Sequence, residues 1–409
     1  MIYDAIIIGA GASGMFAAIT AAENNARVCL IESEDRIGKK LLATGNGKCN
    51  LTNMNITEDC YRTSSQKKIM SIISRFNNDD VVYSFKQMGL LTRQREGYVY
   101  PYNEQALVVL DILRFRLNEL KVDIFVKSKI TKYEFKNNFF NVVIERENDT
   151  TRIQGKKLCV STGSNAGLKK SDSNIGVEIA KYFGHTIIKR LPALVPLMCK
   201  ENFFKEISGV RAKGNICLFC DDKPLISEKG EIQFTDYGIS GIPVFQISRY
   251  AVKALEYNKK SVVKAYIDFM PEYTREELGK FLKEYIEKNH SLISQNKENI
   301  FVGLINKKIM ALIVRLTGND IEKIVEKIKK FAVTIIGAKG IENAQVTQGG
   351  VSLDEINTDT FESDIQPGLY FCGEIIDVDG ICGGYNLQWA WTSGHLAGLH
   401  LLGGKNDKN

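Results

Sequence analysis

Nothing in this chain of 409 residues is long and apolar enough to cross a bilayer, and no repeat or low-complexity segment breaks its composition. No positively charged stretch and cleavage site precede the first apolar run, "IYDAIII", so no secretory leader is expected. A large excess of one charge is also missing. The 54 basic and 48 acidic residues leave a net +6, which suits anionic ligands but is too diffuse to point to nucleic acid. The nine cysteines are odd in number and scattered, which argues against a disulfide framework and for a reducing, cytoplasmic setting. Most lie in apolar runs, where a free thiol behaves as a small hydrophobe. Hydrophobic residues at 44% and charged residues at 25% are ordinary for a globular protein, and the length predicts two or three domains.

The first strong signal is at the start. The apolar strand 2–8 runs into Gly9-x-Gly11-x-x-Gly14, a helix of small residues follows, and "ARVCLIE" closes a second strand at Glu32. This is the β-turn-α-β unit that binds a dinucleotide. Gly9 makes the tight turn, Gly11 lets the backbone approach a pyrophosphate, and Gly14 allows close helix–strand packing. The pyrophosphate is expected at the helix N-terminus, at Ala12 and Ser13, and Glu32 is the acceptor for ribose hydroxyls. An acidic residue here permits FAD or NAD(H). Two further segments favour FAD. "CVSTG" ends a strand on Thr162-Gly163, and "GLYFCGE" ends one on Gly373-Glu374, the carboxylate expected at the ribityl chain.

Between these segments the chain changes character. Helical spacing covers 66–90 and 104–120, and "VDIFVKSKITKYEFKNNFFNVVIER" alternates like an antiparallel meander. After about Leu191 the chain reads as β-rich to about 270. Residues 272–330 read as helical, with Thr274 and Asn319 as N-caps, and 331–340 return to strand. The expected class is α/β, α+β overall. A Rossmann-like FAD-binding domain (1–190 and 345–409) is interrupted by a β-rich domain (191–271 and 331–344) that carries a helical subdomain (272–330).

Four blocks carry a resemblance: "RIGKKLLATGNGKCNLTN", "GEIQFTDYGISGIPVFQIS", "VTQGGVSLDEIN" and "LYFCGEIIDVDGICGGYNLQWAWTSG". Together, in this order and nearly end to end, they resemble the BaiN/RdsA-type NAD(P)/FAD-dependent oxidoreductases. The resemblance implies a flavoprotein of the two-dinucleotide-binding-domain type. Its members include steroid or bile-acid enone reductases and aminoacetone oxidases, so it fixes cofactor and fold better than substrate. It departs from the family pattern at Ser164, where a glycine is common, and at Lys48, where an arginine is common; a lysine lacks the bidentate fork.

The resemblance implies that the loop of residues 41–53 lies against the flavin. Gly45 and Gly47 permit close approach to a flat ring, and Thr44, Asn46 and Asn50 offer neutral donors and acceptors. Lys40 joins this set. Gly383 and Gly384 likewise admit the ring. The helix that follows, from Tyr385 through Asn386 and Leu387, points its dipole at the pyrimidine end. Asp377 contacts ribityl hydroxyls or caps a turn. Tyr385 and Trp389 flank the ring or the substrate. Tyr237 is the candidate proton donor and Tyr385 the second catalytic candidate. Cys49, the Cys217-x-x-Cys220 pair, Trp391 and His395 read as packing, and no metal site is expected.

No second GxGxxG exists, so NADH or NADPH, if it is the reductant, must visit the flavin transiently. The leading expectation is reduction of an activated C=C in an apolar, steroid-like substrate. The alternatives are a flavin oxidase of a small amine and an RNA-modifying flavoprotein. The lysines of 272–330 alternate with glutamates, as on a solvated helix face, so no nucleic-acid or membrane partner is expected.

Overall fold

The computed structural model describes residues 2–146, 149–167, 174–289, 301, 303–318 and 320–402. The chain forms two compact units, Met1–Arg190 with Val346–Asn409, and Leu191–Gln345.

The first unit is built on a seven-stranded sheet. Its order is β7 (Asp123–Phe125), β2 (Val28–Ile31), β1 (Ile2–Ile8), β10 (Asp149–Val160), β9 (Phe139–Arg146) and β8 (Lys129–Lys136), with β19 (Leu369–Phe371) also on β10. The strands β7, β2, β1, β10 and β19 run parallel, and the β8–β9–β10 meander is antiparallel. A parallel strand covered on both faces reads as an unbroken apolar run, which is why "IYDAIII" and "VCLI" show no alternation.

Helix α1 (Ala12–Glu23) packs on α11 (Tyr385–His400). The approach is close because α11 carries glycines there. A Cβ on Gly394 would come 2.5 Å from the Ser13 carbonyl oxygen, and one on Gly398 2.7 Å from that of Ala17. Around this core lie α2 (Lys39–Ala43), α3 (Ile69–Ile73), α4 (Asn78–Gln87), α5 (Ala106–Glu119) and α6 (Ile175–Tyr182). The stretch 66–90 is thus two helices, divided where Asn77 caps the second: its side chain accepts from the Asp79 and Asp80 amides. A small sheet joins β3 (Thr52–Asn53), β6 (Tyr98–Pro101) and β5 (Thr92–Arg95). Strand β4 (Tyr61–Arg62) pairs with β20 (Asp379–Gly380), and β11 (Ile187–Ala193) with β18 (Val346–Val351).

The second unit holds a closed barrel of β12 (Leu197–Cys199), β15 (Gly238–Ser240), β14 (Lys223–Thr235), β13 (Arg211–Cys220), β16 (Val263–Asp268) and β17 (Phe331–Ala338). The stretch expected to be β-rich also contains a 16-residue helix, α7 (Ile242–Tyr257), which starts with Pro243 in its first turn. Its buried residues Val244, Ile247, Ala251 and Val252 recur at helical spacing. Among the described residues three further helices, α8 (Arg275–Lys288), α9 (Lys307–Thr317) and α10 (Ile321–Lys329), share one hydrophobic core with the barrel: Leu282, Ile313 and Ile328 join Ile216 and Val333. Thr274 caps α8, its hydroxyl accepting from the Glu277 amide while Glu277 accepts from the Thr274 amide. The helix expected to be capped by Asn319 is capped by Asp320; Asn319 lies outside the described residues.

Candidate functional site

Four segments of the first unit end parallel strands and so meet at one sheet edge: Gly9–Gly14 after β1, Glu32 after β2, Ser161–Gly163 after β10, and Gly373–Glu374 after β19. In open α/β sheets this carboxyl edge is where ligands bind. The glycine spacing has a steric cause at two positions. Gly9 has φ +100°, and a Cβ there would lie 2.6 Å from the Ser161 carbonyl oxygen. A Cβ on Gly14 would lie 1.9 Å from the Gly9 carbonyl oxygen. Gly11 differs. It is the N-cap of α1, no side chain caps the helix, and a Cβ there would meet nothing within 4 Å. The start of α1 at Gly11 therefore opens onto free space. Glu32 is oriented by accepting from the Ala10 amide at 2.9 Å and, on its other oxygen, from the Glu34 amide at 2.9 Å.

Glu374 is the hub of a polar cluster. Lys40 Nζ lies 2.6 Å from Oε2, while Oε1 accepts from Ser164 Oγ at 2.6 Å and from the Thr347 amide at 3.0 Å. Gly163 is close by: a Cβ there would be 3.7 Å from Glu374 Oε2. Burial pushes the Arg190 guanidinium below its ordinary pKa, and the charge of Glu374 opposes that. One nitrogen of Arg190, the hydroxyls of Thr162 and Thr347, and Oδ1 of Asn165 are buried without a protein partner. Buried polar atoms are normally satisfied, so orphans gathered in one region point to a ligand.

The two glycine-rich loops are fastened to each other. Asn53 Nδ2 donates to the Gly383 carbonyl at 2.9 Å, and a Cβ on Gly384 would lie 2.7 Å from the Thr52 carbonyl carbon. Gly45, Asn46 and Gly47 are exposed, with φ of 55°, 54° and 86°. Asn50 Oδ1 accepts from the Val99 amide, and Thr44 Oγ1 donates to the Leu41 carbonyl at 2.6 Å. Asn386 Oδ1 accepts from the Gly380 amide and its Nδ2 donates to the Gly380 carbonyl, each at 2.8 Å. Asp377 accepts from the Ser64 amide at 2.9 Å and from its hydroxyl. The N-terminus of α11, at Tyr385, Asn386 and half-buried Leu387, carries no side-chain cap.

Tyr385 donates its hydroxyl to the Asn55 carbonyl at 3.0 Å, and burial, followed by the charge of Cys60, pushes its pKa far above the ordinary tyrosine range. Tyr237 is half-buried in the β14–β15 hairpin of the second unit, with the Lys339 ammonium 4.2 Å from its ring centroid. Trp389 and Trp391 are buried, and their indoles donate to the carbonyls of Gly373 and Leu51. His395 stacks on Phe76 with 4.0 Å between centroids, and burial lowers its pKa to about 4. Cys49 is fully buried and its thiol is pushed up to about 12. Among the described residues no helix is long and apolar enough to cross a membrane.

The model of the HI0933-like protein Rossmann domain family matches residues 3–400. The chain belongs to this family. It is 36% identical over 406 residues to a 3-dehydro-bile acid delta(4,6)-reductase of Clostridium scindens, covering 96% of this chain and 97% of that protein. It is 30% identical over 411 residues to a ribosomal RNA dihydrouridine synthase of Haemophilus influenzae, covering 97% and 98%. A protein of the same name from Escherichia coli is 27% identical over 419 residues, covering 99% of each chain.

As an HI0933-like protein the chain is a flavoprotein oxidoreductase. Its residues fit a flavin dinucleotide: an open, uncapped first turn at Gly11, a carboxylate at the end of β2, and unpartnered buried hydroxyls beside Glu374. Arg190, Ser164, Asn165 and Thr347 belong to this cluster although no motif in the sequence singles them out. Ser164 was visible only as a departure from Thr-Gly-Gly. Arg190 and Thr347 sit on β11 and β18, and no local pattern marks either one.

Proposed function

We propose that this HI0933-like protein holds FAD and uses NADH or NADPH to saturate a C=C bond conjugated to a carbonyl, in an apolar substrate of the steroid or bile-acid type. The observation that carries the reading is the meeting of four strand ends around Gly11, Glu32, Glu374 and their unpartnered polar neighbours. The choice of bond rests on the relatives. A 3-dehydro-Δ4,6 acid is a conjugated ketone, and uracil also carries its C=C beside a carbonyl; in both, saturation adds hydride and a proton across an electron-poor double bond.

FAD, when bound, supplies the hydride chemistry between nicotinamide and substrate. The protein's part is positional and electrostatic. The α1 amides and Gly11 receive the pyrophosphate, and Glu32 receives a ribose. Glu374, paired with Lys40, accepts from ribityl hydroxyls, and Thr162 and Thr347 gain the partners they lack within the protein. The uncapped start of α11 favours negative charge beside it. Tyr385 is a poor candidate for the proton donor, since its hydroxyl is engaged by Asn55 and its proton is held by burial, which leaves Tyr237 as the candidate the sequence offers.

The test begins with anaerobic titration of the yellow protein by NADH and by NADPH, followed at the flavin band. Bleaching by either, then reoxidation by a 3-oxo-4-ene steroid but not by its saturated analogue, is the expected result. No bleaching by either dinucleotide would sink the reading. Two relatives favour a second substrate, a uridine of ribosomal RNA, with the same bond chemistry. Reoxidation by RNA with formation of dihydrouridine, and none by the steroid, would decide for it.

A further inference from the structure

The hairpin of β5 and β6 presents an aromatic and cationic face. Alternation along β6 turns Tyr98 and Tyr100 outward and buries Val99 and Pro101; Tyr102, just beyond the strand, is 61% exposed. The register sets Arg93 opposite Tyr100 and Arg95 opposite Tyr98. The rings of Tyr98 and Tyr100 lie 6.4 Å apart and 20° from parallel, and the Arg93 guanidinium is 4.5 Å from the Tyr102 centroid. Lys48, from the exposed glycine loop, reaches the same face: its Nζ is 2.8 Å from Glu104, whose other oxygen is 3.6 Å from Arg93. Three cations thus stand here around one carboxylate.

The inner end of this face touches the candidate cofactor site. A Cβ on Gly383 would lie 3.1 Å from a ring carbon of Tyr98 and 3.0 Å from one of Tyr385. The tyrosines therefore run outward from the Gly383–Gly384 loop to solvent. Flat rings stack on tyrosine faces, and arginine and lysine pair with phosphate oxygens. Rings joined through a diphosphate match this face in shape and charge. Three cations suit one diphosphate better than the long backbone of a polymer. The sequence offers no second GxGxxG to hold such a ligand elsewhere.

We infer that this face is the docking site of the reduced nicotinamide dinucleotide, its rings on Tyr100 and Tyr102 and its phosphates on Arg93, Arg95 and Lys48. The inference rests on the nicotinamide-driven reading above, so the experiment separates the two. The FAD-loaded protein, reduced beforehand with dithionite and kept anaerobic so that no hydride transfer follows binding, is titrated calorimetrically with NADH and separately with NADPH, as wild type, R93E/R95E, Tyr102→Ala, and the charge-matched control K280E/K283E on α8. The expected result is a Kd raised about tenfold or more in R93E/R95E, raised less in Tyr102→Ala, and within about twofold of wild type in the control. Circular dichroism melts check that the variants fold.

Unchanged Kd values in both face variants, or no binding of either dinucleotide by wild type, would overturn the inference. So would loss of a single-stranded oligonucleotide with the dinucleotide affinity intact, which would assign the face to RNA. Binding without anaerobic bleaching would sink the reductase reading alone and leave the docking site to be judged by the variants.

Discussion

Replacing Glu374 by glutamine cuts the polar cluster at its hub. The amide keeps one oxygen for the Ser164 hydroxyl and the Thr347 amide, but it sets a donor against the Lys40 ammonium and removes the charge that faces Lys40 and Arg190. The Lys40 and Glu374 side chains are 29% and 19% exposed, so water screens the pair only in part. Its worth falls between that of a surface pair, about 1 kcal/mol or less, and that of a broken buried pair, about 3–5 kcal/mol. We expect the apoprotein to lose about 2 kcal/mol in E374Q and a similar amount in Lys40→Met. The double variant should lose much less than the sum, because the second change removes the charge that the first left alone, giving a coupling of about 1.5 kcal/mol. Urea unfolding read by tryptophan fluorescence isolates the effect. The chain has two tryptophans, both on α11, and Trp389 donates to Gly373 at 3.1 Å, next to Glu374. The signal therefore reports the first unit and avoids mixing two transitions. If the single losses add to within about 0.5 kcal/mol, the two side chains are not coupled and the reasoning fails.

Gly14→Ala would place a methyl 1.9 Å from the Gly9 carbonyl oxygen, so the purified variant is expected to be colourless; a normal ratio of flavin to protein absorbance would refute this. Cys49, pushed up to about 12 by burial, should resist alkylation at pH 8 in the native protein while half-buried Cys220 reacts, as read by peptide mass spectrometry; prompt labelling of Cys49 would contradict its burial. His395 is held at about 4 by burial, against the opposing charge of Asp80, whereas an unfolded histidine titrates near about 6.5. The unfolded state thus binds the proton first, so His395 costs nothing above about pH 7 and removes stability as the pH falls toward 4, about 3 kcal/mol in all. His395→Phe keeps a ring on Phe76 and should flatten the fall in stability between about pH 6.5 and 4; an unchanged slope would refute it.

Local patterns made much of the first unit legible. The strand, the glycine turn and the small-residue helix stand next to one another, and each strand that ends at the candidate site announces itself as an apolar run closed by the glycine turn, by Glu32, by Thr-Gly or by Gly-Glu. The helix α7 falls inside the stretch expected to be β-rich, because Ile, Val, Phe and Tyr are common in strands and its start follows Ser-Gly; the burial of Val244, Ile247, Ala251 and Val252 along one stripe marks it as helix. Barrel closure left no trace, since β12 pairs with β15 and β17, strands about 40 and about 140 residues away. Arg190 and Thr347 escaped for the same reason: the pairing of β11 with β18 brings in two residues with no sequence signature of their own.

The loops teach a different point about polar residues in a signature. Thr44, Asn50, Asp377 and Asn386 look in sequence like side chains that reach for a ligand, yet each has a protein partner: the Leu41 carbonyl, the Val99 amide, Ser64, and both polar atoms of the Gly380 backbone. Loops brought against a core must satisfy their polar groups internally, and short amides and hydroxyls do so at little conformational cost. Fixing the loops in this way leaves other atoms to face outward: the exposed backbone of Gly45–Gly47, the bare Gly11 position, and the uncapped start of α11. Ligand contact in such a site falls to main-chain amides and to the few side chains left without partners. On this argument Asn386→Ala should act by loosening the 380–386 loop rather than by deleting a contact, weakening flavin retention and raising amide exchange at Gly380 together; loss of flavin with exchange unchanged would assign Asn386 to the ligand instead.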